Sequence, residues 1–181
     1  MPDYTRHEIA TATPERRAIL EGIQSAYGFV PELFAYMIEA PVAVEGYLAL
    51  NALLARSSLA PDHLQIALLA VSVQNGCHFC SVAHEAMARR ASAKRQTIAA
   101  IKNGDNIEDP QDMAVVTLVS SIVENRGWVP ETVTAQFLEA GFTRQQIFEL
   151  ILAVSIKTLS NYTNHLTRPE PNTELLTMLA A

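Results

Sequence analysis

Apolar residues recur along this chain at three- and four-residue intervals. Leu33, Phe34, Met37 and Ile38 fall on one side of a short segment, and Val44, Tyr47, Leu48 and Leu54 share the next. Such spacing places side chains on one face of an α-helix. Proline and glycine mark the ends. Thr13-Pro14-Glu15 reads as a helix start, with Thr as N-cap and Pro at the first position, and Gly28 as its stop. Pro31 begins a short piece, Pro41 a helix to about Arg56, and Pro61-Asp62 the helix that ends at Asn75-Gly76. Lys94 to Lys102 reads as a short helix stopped by Asn103-Gly104. Asp109-Pro110 caps the next, to about Gly127, and Pro130-Glu131 opens one ending at Gly141. Thr143 and Gln146 form a capping box before a long helix, Arg144 to about Leu166. Arg168-Pro169-Glu170-Pro171 breaks it, leaving a tail from Asn172 with room for a turn or two. No stretch alternates with a period of two. The chain is therefore read as all-α, a single helical domain over residues 1–181 with about eight helices.

One weak internal echo stands out. Leu69-Ala70-Val71-Ser72-Val73 returns as Leu152-Ala153-Val154-Ser155-Ile156, an offset that sets Cys77 against Ser160 and Cys80 against Thr163. It suggests a duplication of helical units and is equally compatible with chance.

The apolar run Leu68–Val73 leads into Asn75-Gly76-Cys77-His78-Phe79-Cys80, which holds both cysteines of the chain. Gly76 suits the left-handed conformation that ends a helix. Ser81 to Arg90 contains no Gly or Pro and reads as a new helix, so the dithiol lies at or just inside a helix N-terminus. There the unpaired N–H groups and the helix dipole stabilise a thiolate. Cys77, Cys80 and His84 fall at i, i+3 and i+7, one stripe, with His84 one turn from Cys80 and able to exchange a proton with it.

Three uses fit these residues. They form a buried structural pair with a core histidine, or a zinc site of Cys77, Cys80 and His84 completed by His78 or His63, or a redox dithiol. A closed zinc site usually draws on a second Cys/His pair, which is missing here, so redox chemistry is the favoured reading and no metal or other cofactor is expected.

Composition narrows the partners. Hydrophobic residues make up 49% of the 181, the net charge is −6, and basic residues cluster only at Arg89-Arg90 and Lys94-Arg95. Nucleic acid is an unsuitable partner. No signal peptide and no run long enough for a membrane span is visible, so the expected location is the cytoplasm. Two cysteines there suit catalytic redox better than a structural disulfide.

The order Leu59-Ala60-Pro61, an apolar helix, Asn75-Gly76-Cys77-x-x-Cys80 and then His84 resembles the alkylhydroperoxidase D / carboxymuconolactone decarboxylase superfamily, above all its peroxidase-related branch. The likeness is specific over roughly residues 45–100. It implies an all-helical fold and a thiol-dependent peroxidase. By that resemblance Cys80 attacks the peroxide, Cys77 resolves the sulfenic acid and donates a proton, and His84 serves the proton relay. It also implies homo-oligomers, trimers or hexamers, and an external dithiol reductant, borne on a lipoyl protein for some members. The family usually has Glu where this chain has Gln65, 12 residues before Cys77. Gln65 either orients His84 or a water, or is a surface residue; it does not take up a proton at neutral pH. His78 either tunes the dithiol or is simply exposed.

His63 reads as an exposed polar residue, His165 as a helix-end histidine, and Trp128 as a packing anchor at a loop or subunit contact. Two rival functions remain, a lactone-acid lyase of the decarboxylase type and a non-enzymatic redox sensor.

Overall fold

The computed structural model describes residues 4–180. Ten helices, and no strand, occur among them: α1 (Pro14–Tyr27), α2 (Glu32–Met37), α3 (Pro41–Leu54), α4 (Pro61–Gln74), α5 (His78–Arg90), α6 (Arg95–Asn103), α7 (Pro110–Glu124), α8 (Glu131–Glu139), α9 (Arg144–Thr167) and α10 (Thr173–Ala180). The sequence reading expected about eight; the short α2 and the terminal α10 make up the difference.

Proline marks six of the ten starts, with Pro31 and Pro130 at the N-caps of α2 and α8. It occupies a first-turn position in α1, α3, α4 and α7, where its missing N–H costs no hydrogen bond. Thr13 does not cap α1 with its side chain, contrary to expectation, whereas Asp109 accepts from the N–H groups of Gln111 and Asp112. The Thr143/Gln146 capping box forms as read.

The centre is α4. Its residues Ile66 to Ser72 are buried without interruption, because α5, α7, α9 and α6 surround it. A helix that is apolar all round belongs in a core. On one side α4 joins α6, α7 and α8 in a cluster that includes Leu69, Val71, Leu118, Phe137 and Leu150. On the other, Leu68 meets Leu20, Phe34, Tyr47, Phe79 and Ile156, and both cysteines lie in this second cluster. The terminal α10 packs on α5 and is tied down by Arg89 Nη1 donating to the Leu179 carbonyl, 3.1 Å. Asn172 links the same tail to the start of α2 through Glu32 N–H, 2.9 Å.

Several surface expectations change. Trp128 is 87% exposed, so it is not a packing anchor against its own loop among the described residues. His63 is only half-buried rather than exposed, set edge-on to Phe142 with Nε2 3.4 Å from the buried Asp112 carboxylate. His165 is exposed near the end of α9, as read. The internal echo does not extend into equivalent geometry. α4 stops at Asn75, while α9 runs straight through Ser160 and Thr163. No helix of the described residues is long and apolar enough to cross a membrane.

Candidate functional site

The dithiol is built on a helix–helix corner. α4 ends with Gly76 at φ +67, in the left-handed region that glycine occupies freely. Gly76 N–H donates to the Val73 carbonyl and Cys77 N–H to the Ser72 carbonyl, both 2.9 Å. These two bonds are the Schellman closure of a helix end. Cys77 then serves at once as the N-cap of α5, its carbonyl accepting from Ser81 N–H at 2.9 Å. The helix therefore begins three residues earlier than Ser81. Cys77 is outside it, with φ −88 and ψ 96, so Cys77, Cys80 and His84 do not form one helical stripe. Cys80 is the third residue of α5, in the first turn, where backbone N–H groups face a thiolate.

Both cysteines are free and buried, and their environments differ. The Cys77 thiol hydrogen-bonds to Cys80, is buried, and has its pKa raised. Cys80 receives that bond and is drawn down to about 5, against the opposing effect of burial. The Lys157 ammonium lowers it further, as does Asn164, whose Nδ2 donates to Cys80 Sγ at 3.2 Å. Asn161 adds to the lowering, although its Nδ2 lies outside normal hydrogen-bond geometry. The pair is thus arranged as a thiolate at Cys80 and a thiol at Cys77.

His84 does not hydrogen-bond to Cys80. Its Nδ1 is 3.1 Å from Gln65 Oε1 and its Nε2 is 2.9 Å from Lys157 Nζ. The ring is drawn off the thiols by partners on α4 and α9, an effect that spacing along α5 alone does not reveal. Burial and then the neighbouring ammonium push its pKa well below the usual histidine range, so the ring is neutral. An ammonium only donates. Nε2 is therefore the acceptor, and Nδ1–H donates to the Gln65 carbonyl oxygen. Gln65 is a partner of the histidine and not a free surface residue. His78 is exposed. No cluster of three or more His, Cys, Asp or Glu among the described residues is placed to hold a metal ion.

Lys157 and Asn164 escaped the sequence reading. Lys157 is 1% exposed and has no carboxylate partner among the described residues. A signal did exist. Between Glu149 and Arg168, Lys157 is the lone Lys, Arg, Asp or Glu, and it falls on the buried stripe Leu150, Ala153, Lys157, Ser160, Asn164 of α9.

Cys80, His84, Gln65 and Lys157 open into a cavity of about 380 Å³. Its remaining wall is largely apolar, with Phe34, Leu68, Phe79 and Met87, and α10 contributes Leu175 and Met178. Tyr47 also faces it. Burial, and then the nearby Cys80, push its phenol up to about 12, so it is a neutral O–H donor.

The model of the carboxymuconolactone decarboxylase family matches residues 41–105, which span α3, α4, the dithiol corner and α6. A peroxidase-related protein from Ralstonia eutropha JMP134 with the alkylhydroperoxidase AhpD core superposes with a TM-score of 0.84, covering 97% of this chain and 94% of that one at 23% identity. The chain has the all-helical AhpD-like fold, and its dithiol region, residues 41–105, matches the carboxymuconolactone decarboxylase family. Among other AhpD-like structures, a peroxidase-related protein from Silicibacter sp. TM1040 is 20% identical with a TM-score of 0.76, over 97% and 96% of the two chains. The debrominase Bmp8 reaches 0.79 at 14% identity, over 99% and 97%. No curated protein matches the sequence. These structures share this chain's fold along nearly their whole length, and one of them is named as an enzyme, a debrominase.

Proposed function

We propose that this AhpD-like protein is a thiol-dependent peroxidase for apolar organic hydroperoxides. The observation that carries the reading is the asymmetry of the dithiol, with Cys80 held near 5 and Cys77 raised, beside a largely apolar cavity. At neutral pH Cys80 is a thiolate and Cys77 keeps its proton.

Cys80 Sγ attacks the terminal peroxide oxygen. The O–O bond breaks, Cys80 becomes a sulfenic acid and the alkoxide leaves, taking a proton. Lys157 is the residue supplying that proton, with His84 Nε2 holding its ammonium in place at 2.9 Å. This assignment replaces the carboxylate relay that Gln65 is unable to provide. Cys77 Sγ then attacks the Cys80 sulfur, the hydroxyl departs with the Cys77 proton as water, and a disulfide closes. An external dithiol restores both thiols. No metal, haem or flavin takes part in this scheme.

A second reading, reductive dehalogenation of a small halogenated aromatic, is favoured by one feature, the aromatic wall of Phe34, Phe79 and Tyr27 around Cys80. The test is a single turnover of the fully reduced protein against cumene hydroperoxide, hydrogen peroxide and a bromopyrrole. The expected result is loss of two thiols per chain with one equivalent of alcohol, fastest with the cumene peroxide. Bromide release without peroxide consumption would establish the second reading instead. Two thiols consumed in neither case would overturn both.

A further inference from the structure

The two cysteines open onto different spaces. Cys80 lines the apolar cavity and Cys77 does not. Cys77 lines a second cleft, of about 390 Å³, between the start of α5 and the end of α9, and Cys80 is absent from its walls. This cleft is more polar in its lining than the first cavity. His78, His165, Arg168 and Glu170 face it, and none of the four forms an ion pair among the described residues. Asn164 also lines it and is 4% exposed. Its Nδ2 points to the sulfurs, 3.2 Å from Cys80 and 3.9 Å from Cys77, while its Oδ1 has no hydrogen-bond partner. A buried acceptor left unpaired is costly, so this side chain is held at the dithiol at some expense to the fold.

We propose that this cleft is the reductant site: a thiol reductant enters between α5 and α9 and attacks Cys77, while the peroxide reaches Cys80 through the apolar cavity. The inference rests on the dithiol reading above and adds where the reducing partner binds and which sulfur it meets. The reductant thiolate attacks Cys77 Sγ and the Cys77–Cys80 bond breaks. Its electron pair leaves on Cys80 as thiolate, and a mixed disulfide forms on Cys77. The second thiol of a dithiol then displaces Cys77, which takes up a proton, and the reductant departs as its own disulfide. The direction of attack agrees with exchange chemistry, in which the sulfur with the lower thiol pKa leaves faster. Lys157 and Asn164 both stabilise Cys80 in that role. Arg168, exposed at the cleft, meets the incoming anion.

Separate openings have a functional consequence. Oxidation and reduction do not compete for one mouth, so a bulky peroxide product still in the cavity does not block regeneration.

The test uses full-length protein oxidised to the disulfide with diamide, so that it does not depend on peroxide turnover. Reduction is followed with the anionic monothiol 2-mercaptoethanesulfonate and the neutral 2-mercaptoethanol, each quenched with N-ethylmaleimide and mapped by mass spectrometry. The expected adduct is the monothiol on Cys77 with maleimide on Cys80. Arg168→Glu is expected to slow the anionic thiol about 2–5-fold, the range of exposed charge effects, and to leave the neutral thiol's rate unchanged. Arg168→Lys is expected to restore the anionic rate. An adduct on Cys80, or an Arg168→Glu effect equal for both thiols, overturns the proposal. If the adducts fall as expected but the reduced protein consumes no peroxide, the peroxidase reading fails and the cleft assignment stands.

Discussion

Lys157→Met tests the site most sharply, because one side chain carries both electrostatic and proton-donating roles. The substitution exchanges a buried ammonium for an apolar group of similar length, so the fold should survive. Removing one partner of a buried pair leaves the other charge uncompensated, and the Cys80 thiolate relieves this by taking up a proton. His84 Nε2 also loses its donor, at a cost of about 1–3 kcal/mol. The expected loss of stability is about 1–3 kcal/mol, read from a urea melt.

The kinetic change is larger. A neighbouring ammonium at an effective dielectric of about 20 is worth on the order of 3 kcal/mol to a thiolate, or about two pKa units. Cys80, held near 5 in the native protein, is therefore expected to move to about 7. At pH 6 its thiolate fraction falls roughly tenfold, while at pH 9 it hardly changes. A more basic thiolate is also a better nucleophile, by about 0.4–0.5 log units per pKa unit. If Lys157 acted through charge alone, the variant would equal or exceed the native protein at pH 9. Because it is also assigned the proton, the high-pH plateau is expected to drop by about 10²-fold or more. The assay is stopped-flow oxidation by cumene hydroperoxide from pH 4.5 to 9.5, with Cys80 ionisation followed by thiolate absorbance. An unmoved ionisation midpoint would refute the electrostatic coupling. A moved midpoint with an undiminished plateau would refute the proton transfer.

Gln65→Glu is expected to change little on its own, since Lys157 supplies the proton, but to recover about tenfold or more of the rate lost in Lys157→Met by rebuilding a carboxylate–histidine relay. Equal rates for Lys157→Met with and without Gln65→Glu would show that His84 does not relay protons. Stability should also respond to acid. His84 is held neutral well below its ordinary value, so an unfolded chain binds a proton there that the folded chain refuses. This contribution is complete above about pH 6.5 and is lost as pH falls towards the folded pKa, at up to about 1.4 kcal/mol per pH unit. Urea melts between pH 7 and 5 should show that slope, and His84→Asn should flatten it.

Much of the helix order was readable from the chain, because helix starts and stops are local chemistry. Proline in a first turn, Asp109 and Thr143 as caps, and Gly76 and Gly104 at positive φ act within a few residues of the backbone they shape. The continuous burial of α4 followed from its unbroken apolar run, and the corner holding Cys77 and Cys80 from the Asn75-Gly76 stop.

The electrostatics of the site did not follow, because they arise where α9 crosses α4 and α5. Lys157 and Asn164 lie 77 and 84 residues from Cys80, and nothing near them in the chain dictates what they meet. The same crossing turns His84 from Cys80 to Lys157 and makes Gln65 its partner. Spacing places residues on a helix face. Which face meets which is decided by packing, where apolar burial across the whole molecule outweighs the preference of any one polar group. Sequence alone therefore determined the helices and the position of the dithiol between two of them. Tertiary structure decided which sulfur is the thiolate, which cation stabilises it, and onto which space each sulfur opens.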